Sequence, residues 1–152
     1  TQNQSSAASD VYKRQLFGDS GFGTQINATF VSGGDVDIDR DDTTRQFILP
    51  GLGDSSNFSF FYEDSFVTAR VALNTRGETV AGFGNYDQPL YVEERNQWDL
   101  SLALNIAEDA VVFYEVQNVN DEPTRLYARY EEMLFLSQDH GPIHRLGFRY
   151  KF

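Results

Sequence analysis

The sequence predicts an all-β protein with antiparallel strands, on the basis of three observations. The chain has 152 residues, among them 13 Phe and 8 Tyr, which are residues that favour strands. Apolar and polar residues alternate with a period of two in six segments, and helical spacing fits none of these segments better. The connections between the segments are long and short in turn, which is typical of up-and-down barrel sheets.

Bulk composition excludes several classes of protein. The chain has 23 acidic and 12 basic residues and a net charge of −11, which argues against a nucleic-acid-binding surface. It has no Cys, so disulfides and thiolate metal sites are excluded. No apolar run approaches the roughly 18 residues that a membrane-spanning helix needs. That lack leaves membranes open, because barrel strands carry only half their residues as apolar.

Residues 1–15 differ from the rest of the chain. The segment TQNQSSAASDVYKRQ is polar and has no hydrophobic period, and its SDVYKRQ part resembles adapter-derived sequence at the ends of translated environmental assemblies. We therefore expect residues 1–15 to be a non-native or disordered tail, with an ordinary flexible tail as the alternative. Residues 16–152 then form the folded part.

Each predicted strand gathers its apolar residues on one face, because successive side chains of a strand point to opposite faces. A sixth, longer segment runs from about Leu134 to Phe152. The opposite faces are rich in charged and amide side chains, including Arg70 and Asp99 in mid-strand. In chain order the apolar faces are Phe22, Thr24, Ile26, Ala28 and Phe30; Phe58, Phe60 and Tyr62; Val67, Ala69, Val71 and Leu73; Trp98, Leu100, Leu102, Leu104 and Ile106; Val112, Tyr114 and Val116; Leu146, Phe148, Tyr150 and Phe152.

Two architectures could cover such one-sided strands. In a soluble sandwich a second sheet packs on the apolar face. In an antiparallel, up-and-down transmembrane β-barrel that face meets lipid and the polar face lines the lumen. The long loops at one end and the aromatic residues near strand ends favour the barrel. Under this prediction Trp98, Leu100, Leu102 and Leu104 face lipid.

Five segments of the chain, taken together, resemble a known family. They are LPGLGD, FYEDSFVTARVALNTR, QWDLSLALNIAED, VVFYEVQNVNDEPTR and HRLGFRYKF. In this order and spacing they resemble the C-terminal part of a TonB-dependent outer-membrane receptor, over residues 17–152. Val119 and Asn120 depart from an NLTDE-like motif of the family. Residues 140–143 are less typical of its last strand, where Pro142 would bend the ladder.

The resemblance implies about six strands of a larger, 22-stranded barrel, arranged as a curved single-layer sheet. A receptor of this family sits in the outer membrane of a Gram-negative bacterium. It actively imports a scarce nutrient, which could be an iron-siderophore, a cobalamin-like cofactor or an oligosaccharide. The plug and the energy-coupling box of the family are absent from this chain, so the chain alone is not expected to transport anything.

The resemblance also implies the partners. They are outer-membrane lipid, the nutrient ligand, an inner-membrane energy-coupling protein reached through the missing N-terminal region, and the barrel-assembly machinery. Phe148, Tyr150 and Phe152 would form the assembly signal in the last strand. No nucleic acid and no cofactor are expected.

Two other functions remain open on the residues alone. One is a soluble β-sandwich that binds a ligand or partner through its loops. The other is a passive outer-membrane porin. We do not expect an enzyme, because nothing in the sequence sets Ser, His and Asp into a catalytic arrangement.

Ligand-contacting residues are expected in the long loops, where aromatic and charged side chains mix. Aromatic faces and carboxylates could bind a sugar or a siderophore, and an ordinary hydrophilic loop is the alternative. The candidates are Asp37, Asp39, Arg40, Tyr86, Tyr91, Tyr127 and Arg129.

No metal site is predicted. Residues 35–42 space carboxylates as a calcium loop does, but Arg40 stands where the glycine of an EF-hand should be and Gln46 where its glutamate should be. A looser calcium site in this loop stays open. His140 and His144 are four residues apart, but the Gly-Pro pair between them forbids the helix that a zinc site of this spacing needs.

Overall fold

The computed structural model describes the backbone of residues 8–14 and, in full, residues 21–31, 38–42, 44, 46–47 and 49–152. In this part of the chain eleven strands and a single 3₁₀ turn (Asn85–Asp87) are present. No helix among these residues has the length and apolarity to cross a membrane. The strands are β1 (Ala8–Arg14), β2 (Phe22–Phe30), β3 (Ser55–Glu63), β4 (Val67–Arg76), β5 (Thr79–Phe83), β6 (Pro89–Val92), β7 (Arg95–Ala107), β8 (Ala110–Gln117), β9 (Thr124–Ala128), β10 (Leu134–Gln138) and β11 (Ile143–Tyr150).

The main sheet has seven antiparallel strands in the order β1-β2-β3-β4-β7-β8-β11. It is open, with β1 and β11 at its two edges, and does not close into a barrel among the described residues. The all-β, antiparallel fold class is thereby confirmed. Strand β1 lies within the segment expected to be a tail, and its backbone pairs with β2 from Ala8 opposite Phe30 to Arg14 opposite Thr24. The boundary between tail and domain at residue 16 stays a prediction.

The second sheet has four antiparallel strands in the order β10-β9-β6-β5. Its strands come from two of the long connections, and each is next in the chain to one strand of the main sheet. Strand β4 leads into β5, β6 into β7, β8 into β9, and β10 into β11. The four strands of the second sheet therefore lie in the same order as the main-sheet strands next to them in the chain. The second sheet thus prolongs β4, β7, β8 and β11.

The predicted strands agree with the structure in five cases and need one correction. The first five predicted strands correspond to β2, β3, β4, β7 and β8. The prediction of one strand from about Leu134 to Phe152 is wrong, because the segment forms two strands, β10 and β11, in different sheets. The chain leaves the ladder between Gln138 and Ile143, where Gly141 has φ +66° and Pro142 cannot donate a hydrogen bond.

The register collects the apolar residues on one face of the main sheet. Residues directly opposite each other in antiparallel strands point to the same side. One such row runs Phe58–Leu73–Trp98, and the next runs Phe60–Val71–Leu100–Val116 and ends at His144 of β11. No second layer covers this face among the described residues, since Trp98 keeps 41% of its surface exposed at the middle of the sheet. The main sheet is thus a single layer with one bare apolar face.

The opposite face is polar but contains two cross-strand pairs of glycine and phenylalanine. The ring of Phe61 lies over Gly23, and the ring of Phe113 lies over Gly147. A Cβ placed on Gly147 would lie 2.1 Å from Cζ of Phe113, which is too close for any side chain. Each glycine therefore leaves room for an aromatic ring that covers its backbone, as in the aromatic rescue of strand glycines.

We expect Gly147→Ala to destabilise the sheet, because the Phe113 ring must leave its place. The expected loss is about 1–3 kcal/mol of unfolding free energy, which is the usual cost of overpacking. Denaturant titration followed by the fluorescence of Trp98, the single tryptophan, measures it. The matched control is the same substitution in a Phe113→Ala background, where the cost should fall well below that in the parent. Equal costs in both backgrounds would show that the ring is not the cause.

Candidate site at the loop end of the sheets

The three long connections meet at one end of the molecule. The connections from β4 to β7 and from β8 to β11 supply the four strands of the second sheet, which pair through β6 and β9. The connection from β2 to β3 is held to them by backbone hydrogen bonds, from Gly51 N to Val80 O at 2.8 Å and from Gly77 N to Asp54 O at 2.9 Å. Residues far apart in the sequence are thereby brought into contact.

Arg40 links all three connections. Its guanidinium carbon lies 4.4 Å from the centre of the Tyr91 ring, in cation–π geometry. One terminal nitrogen donates to the backbone oxygen of Arg129 at 2.8 Å, and the other donates to Glu78 Oε1 at 3.2 Å. Because the side chains of Arg40 and Glu78 are each 38% exposed, the ion pair is screened by water, and the ring contact and the carbonyl bond add to it.

Two tyrosines form the floor beneath Arg40. The rings of Tyr91 and Tyr127 stack with their centres 5.3 Å apart, and the two residues are 4% and 2% exposed. The Tyr127 hydroxyl donates to Glu78 Oε2. Burial, and then the hydrogen bond to Glu78, raise the pKa of Tyr127, while Arg40 opposes the shift. Both rings are used to fasten the connections and are not free to stack on a ligand.

The acidic residues next to Arg40 are tied into local turns. Asp39 accepts a hydrogen bond from the Asp41 amide through its Oδ1 at 2.9 Å, and its own amide donates to Gln46 Oε1 at 2.9 Å. Asp41 accepts from the hydroxyl of Tyr130, and this bond raises the pKa of Tyr130. The candidate Asp37 lies outside the described residues. The carboxylates described here therefore serve the loop itself.

Tyr86 stands apart from this cluster. It lies at the tip of the β5–β6 hairpin, is 88% exposed, and has φ 61° and ψ 33°. Its neighbour Asp87 also has a positive φ, 52°, which is uncommon for a residue with a side chain. A hydrogen bond from Gly84 N to Gln88 O at 2.8 Å closes the turn and holds the tyrosine outward. Of the seven candidates, Tyr86 has the ring surface most open to a ligand.

Asn118 starts the segment that carries the chain from β8 to β9. It is buried at φ 59°, and its amide donates to Asp99 Oδ1 at 2.9 Å. Its side chain exchanges two hydrogen bonds with the backbone of Glu122, at 2.8 and 3.1 Å. Asn120, one of the departures from the NLTDE-like motif, accepts from the Trp98 amide at 2.9 Å and so replaces a strand partner that β7 lacks there. The asparagines of this motif have structural roles.

The polar face of the main sheet holds a shallow cavity that the sequence did not reveal. Its volume is about 170 Å³. Arg70 reaches no carboxylate within ion-pair distance among the described residues, although Asp99 and Glu115 lie on the same rim. Nearby on this face, the buried Ser59 hydroxyl has no hydrogen-bond partner in the described part of the chain. The lining residues are Arg70, Ala72, Asp99, Leu100, Ser101, Glu115, Val116 and Gln117.

The structure shows no set of metal ligands in its described part. Within residues 21–31, 38–42, 44, 46–47 and 49–152, no three His, Asp or Glu side chains come together. His144 lies on β11, where its Nδ1 is 2.8 Å from the hydroxyl of Tyr114. His140 lies outside the strands, in the link between β10 and β11.

The structure thus brings four of the predicted ligand-contacting residues together. Arg40, Tyr91, Tyr127 and Arg129 meet in one cluster, which we call the loop clasp and define to include Glu78. Asp39 lies one residue from it, and Tyr86 is separate. Glu78 was missed because its only sequence signal is its position just after a strand. We interpret the clasp as a support for the loops.

We expect Arg40→Gln to loosen the β2–β3 connection without unfolding the sheets. The substitution removes the ring contact and the charged hydrogen bonds, which together stabilise the closed connection by about 1–2 kcal/mol. Hydrogen exchange at the Gly51 amide, which is bonded to Val80, should become about tenfold faster. Arg70→Gln is the matched control and should leave that amide unchanged. Equal exchange in Arg40→Gln and the parent would contradict the role of the clasp.

Alkaline pH should also loosen the clasp. The pKa of Tyr127 is raised above its ordinary value of 10.0, so the folded state binds its proton more tightly than the unfolded state. The stabilisation is therefore complete below about pH 10 and is lost as the pH rises through the folded-state pKa. Exchange at Gly51 should accelerate above pH 10 beyond the intrinsic rate, and less steeply in Tyr127→Phe. The same slope in both proteins would rule out Tyr127 as the titrating group.

Comparison of the chain with models of protein families, with curated proteins and with solved structures finds no match. The resemblance of the five sequence segments to TonB-dependent receptors therefore stays a prediction.

Proposed function

We propose that the chain forms part of the wall of a transmembrane β-barrel, in a TonB-dependent receptor of a Gram-negative outer membrane. The observation that carries the proposal is the bare apolar face of a single-layer sheet whose other face is polar. Exposure of such a face to water is unfavourable. A contiguous apolar surface of this extent marks contact with lipid or protein. Lipid needs no second sheet to cover it.

The height of the apolar face suits a bilayer. On β7 it runs from Trp98 to Ile106, which are nine residues in the strand. At about 3.4 Å per residue this is about 27 Å along the strand, and a transmembrane strand needs about 9–11 residues when tilted. Above Trp98 the same face turns polar in the row Ser56–Thr75–Asn96, where two hydroxyls lie 2.6 Å apart. This row would mark the upper boundary of the hydrocarbon.

Aromatic rings mark the other boundary. The rings of Phe22 and Tyr62 contact each other near the short turn between β3 and β4, with their centres 4.7 Å apart. The rings of Tyr150 and Phe152 contact each other edge to face near the short turn between β7 and β8, with their centres 5.2 Å apart. Aromatic rings at this level are typical of the interface between hydrocarbon and water.

The polar face suits a water-containing lumen. Amide side chains cross it from strand to strand, because Asn57 donates to Asn74, and Asn74 donates to Asp99 at 2.7 Å. Gln97 donates to the other oxygen of Asp99 at 2.7 Å. A network of this kind keeps charged and amide groups satisfied without a packed apolar core. The remaining strands of the barrel would continue from the two open edges.

The loop end would then face outward and meet the nutrient. The second sheet prolongs the wall beyond the polar row and holds the three loops in the clasp. Tyr86, exposed at a hairpin tip, and Tyr130 at the rim are two of the exposed aromatic side chains of the loop end, beside Phe47 and Phe135. An iron-siderophore, a cobalamin-like cofactor or an oligosaccharide would suit them, and the protein would act as an importer and not as an enzyme. Energy for import would come from an inner-membrane energy-coupling protein. Assembly in the membrane would use the barrel-assembly machinery.

The two alternatives make different demands on the structure. A soluble sandwich needs a layer over Trp98 and Leu100, and the second sheet of this chain prolongs the strands instead of covering them. A passive porin shares the wall but has no plug. A plug domain encoded upstream of this segment would therefore distinguish the receptor from the porin.

The test places one charge on each face of the same strand. Leu102→Arg puts a guanidinium on the apolar face, at a cost of about 2–4 kcal/mol near the bilayer midplane. Ser101→Arg puts it on the polar face, between Arg70 and Glu115 of the neighbouring strands. The full-length protein is recovered in the outer-membrane fraction, and heated and unheated samples are compared by gel electrophoresis. A folded barrel migrates differently before and after heating, which separates the folded from the unfolded form. We expect Leu102→Arg to lose most of the folded form and Ser101→Arg to keep it. Equal loss, or a parent protein that is monomeric without detergent, would overturn the proposal.

A further inference from the structure

The last strand, β11, presents a free backbone edge that is suited to pairing. It is eight residues long, Ile143–Tyr150, and has no proline inside it. Among the described residues it is bonded to β8 alone, on one side. Leu146 and Phe148 are 77% and 61% exposed, more than the large apolar residues of β7 and β8. Unpaired edges of this length recruit another strand unless charges or bulges prevent it.

The polar side of β11 is cationic. Arg145 and Arg149 point to the polar face of the sheet, with Gly147 between them. Lys151 directly follows the strand and continues the alternation in the sequence. Arg145 has Glu115 as a distant partner, at 3.9 Å. Arg149 stands opposite Val111, and no carboxylate of the described residues lies within ion-pair distance of it or of the Lys151 ammonium. The edge therefore carries positive charge that β8 does not neutralise.

These charges disfavour pairing with a second copy of the chain. If two β11 strands paired antiparallel with their apolar sides aligned, the cations of both copies would lie on the same side of the new ladder. Like charges opposite each other destabilise a strand pair, whereas opposite charges stabilise it. The same cations that hinder self-pairing thus favour an acidic partner.

We propose that the edge of β11 pairs with a strand that alternates apolar residues with carboxylates, the carboxylates facing Arg145, Arg149 and Lys151. The apolar residues of that strand lie beside Leu146, Phe148 and Tyr150 and extend the apolar face. This inference deepens the proposed function, because within a barrel the partner is the strand that closes the wall. The pairing itself does not require a membrane, and the membrane assignment decides only that lipid covers the extended apolar face.

Three peptides test the charge preference. Each has blocked ends and alternates Val with one polar residue, which is Glu, Lys or Gln. Hydrogen exchange at the β11 amides of the full 152-residue chain reports pairing, in detergent micelles and in buffer. We expect the Glu peptide to bind about tenfold more tightly than the Lys peptide, with the Gln peptide between them, from three cross-strand charge pairs.

A charge exchange on the edge gives the decisive comparison. Arg149→Glu combined with Lys151→Glu should reverse the preference toward the Lys peptide. Arg70→Glu, on the same face but three strands away, should leave it unchanged. A preference that ignores the double substitution would overturn the inference, and so would protection of β11 in a dimer of the chain without peptide. Acid-selective pairing in a chain that is monomeric without detergent would keep this inference and reject the membrane assignment.

Discussion

The phase of the antiparallel register across the main sheet is the constraint on which the rest depends. Because opposed residues share a face, a single alternating pattern in each strand yields one apolar face only if every pair is in phase. The pairs from β2 to β11 meet this condition, so Phe58, Leu73 and Trp98 form one row and Asn57, Asn74 and Gln97 form the next on the other side. A slip of one residue at any pair would place amides among the apolar rows. The bare face, the polar network and the glycine–phenylalanine pairs all follow from this phase.

The strands that could be predicted were those with a complete two-residue period. Strands β4 and β7 have ten and thirteen residues, and apolar residues recur at every second position from Val67 to Leu73 and from Trp98 to Ile106. Strands β5, β6 and β9 have only four or five residues each, and they lie in connections rich in Gly, Pro and Asn. Their pairing is set by contacts between connections, which no local pattern reports. The break between β10 and β11 had a local signal in Gly141 and Pro142, yet only the structure shows that it moves the chain to another sheet.

The candidate site was predictable in composition but not in role. Tyr91 and Tyr127 have the aromatic rings that bind sugars and chelates, but these two rings stack on each other and are buried. Their partner Arg40 is distant from both in the sequence, so only the tertiary structure joins them. Tyr86 keeps its predicted availability because a left-handed backbone at the hairpin tip directs it away from the sheet. Whether a loop residue packs within the loop end or stays exposed thus depends on the neighbouring residues that the fold brings to it.

The loop end takes its geometry from the main sheet, through four continuing strands. Asn118 is the clearest case, because its backbone bonds to Asp99 of the polar network while its side chain shapes the turn that leads to β9 and Tyr127. Asp99 in turn accepts from Asn74 and Gln97. A change in the polar face therefore reaches the floor of the clasp through hydrogen bonds and one short turn. The same alternation that separates the two faces of the main sheet thus also positions the loop end above it.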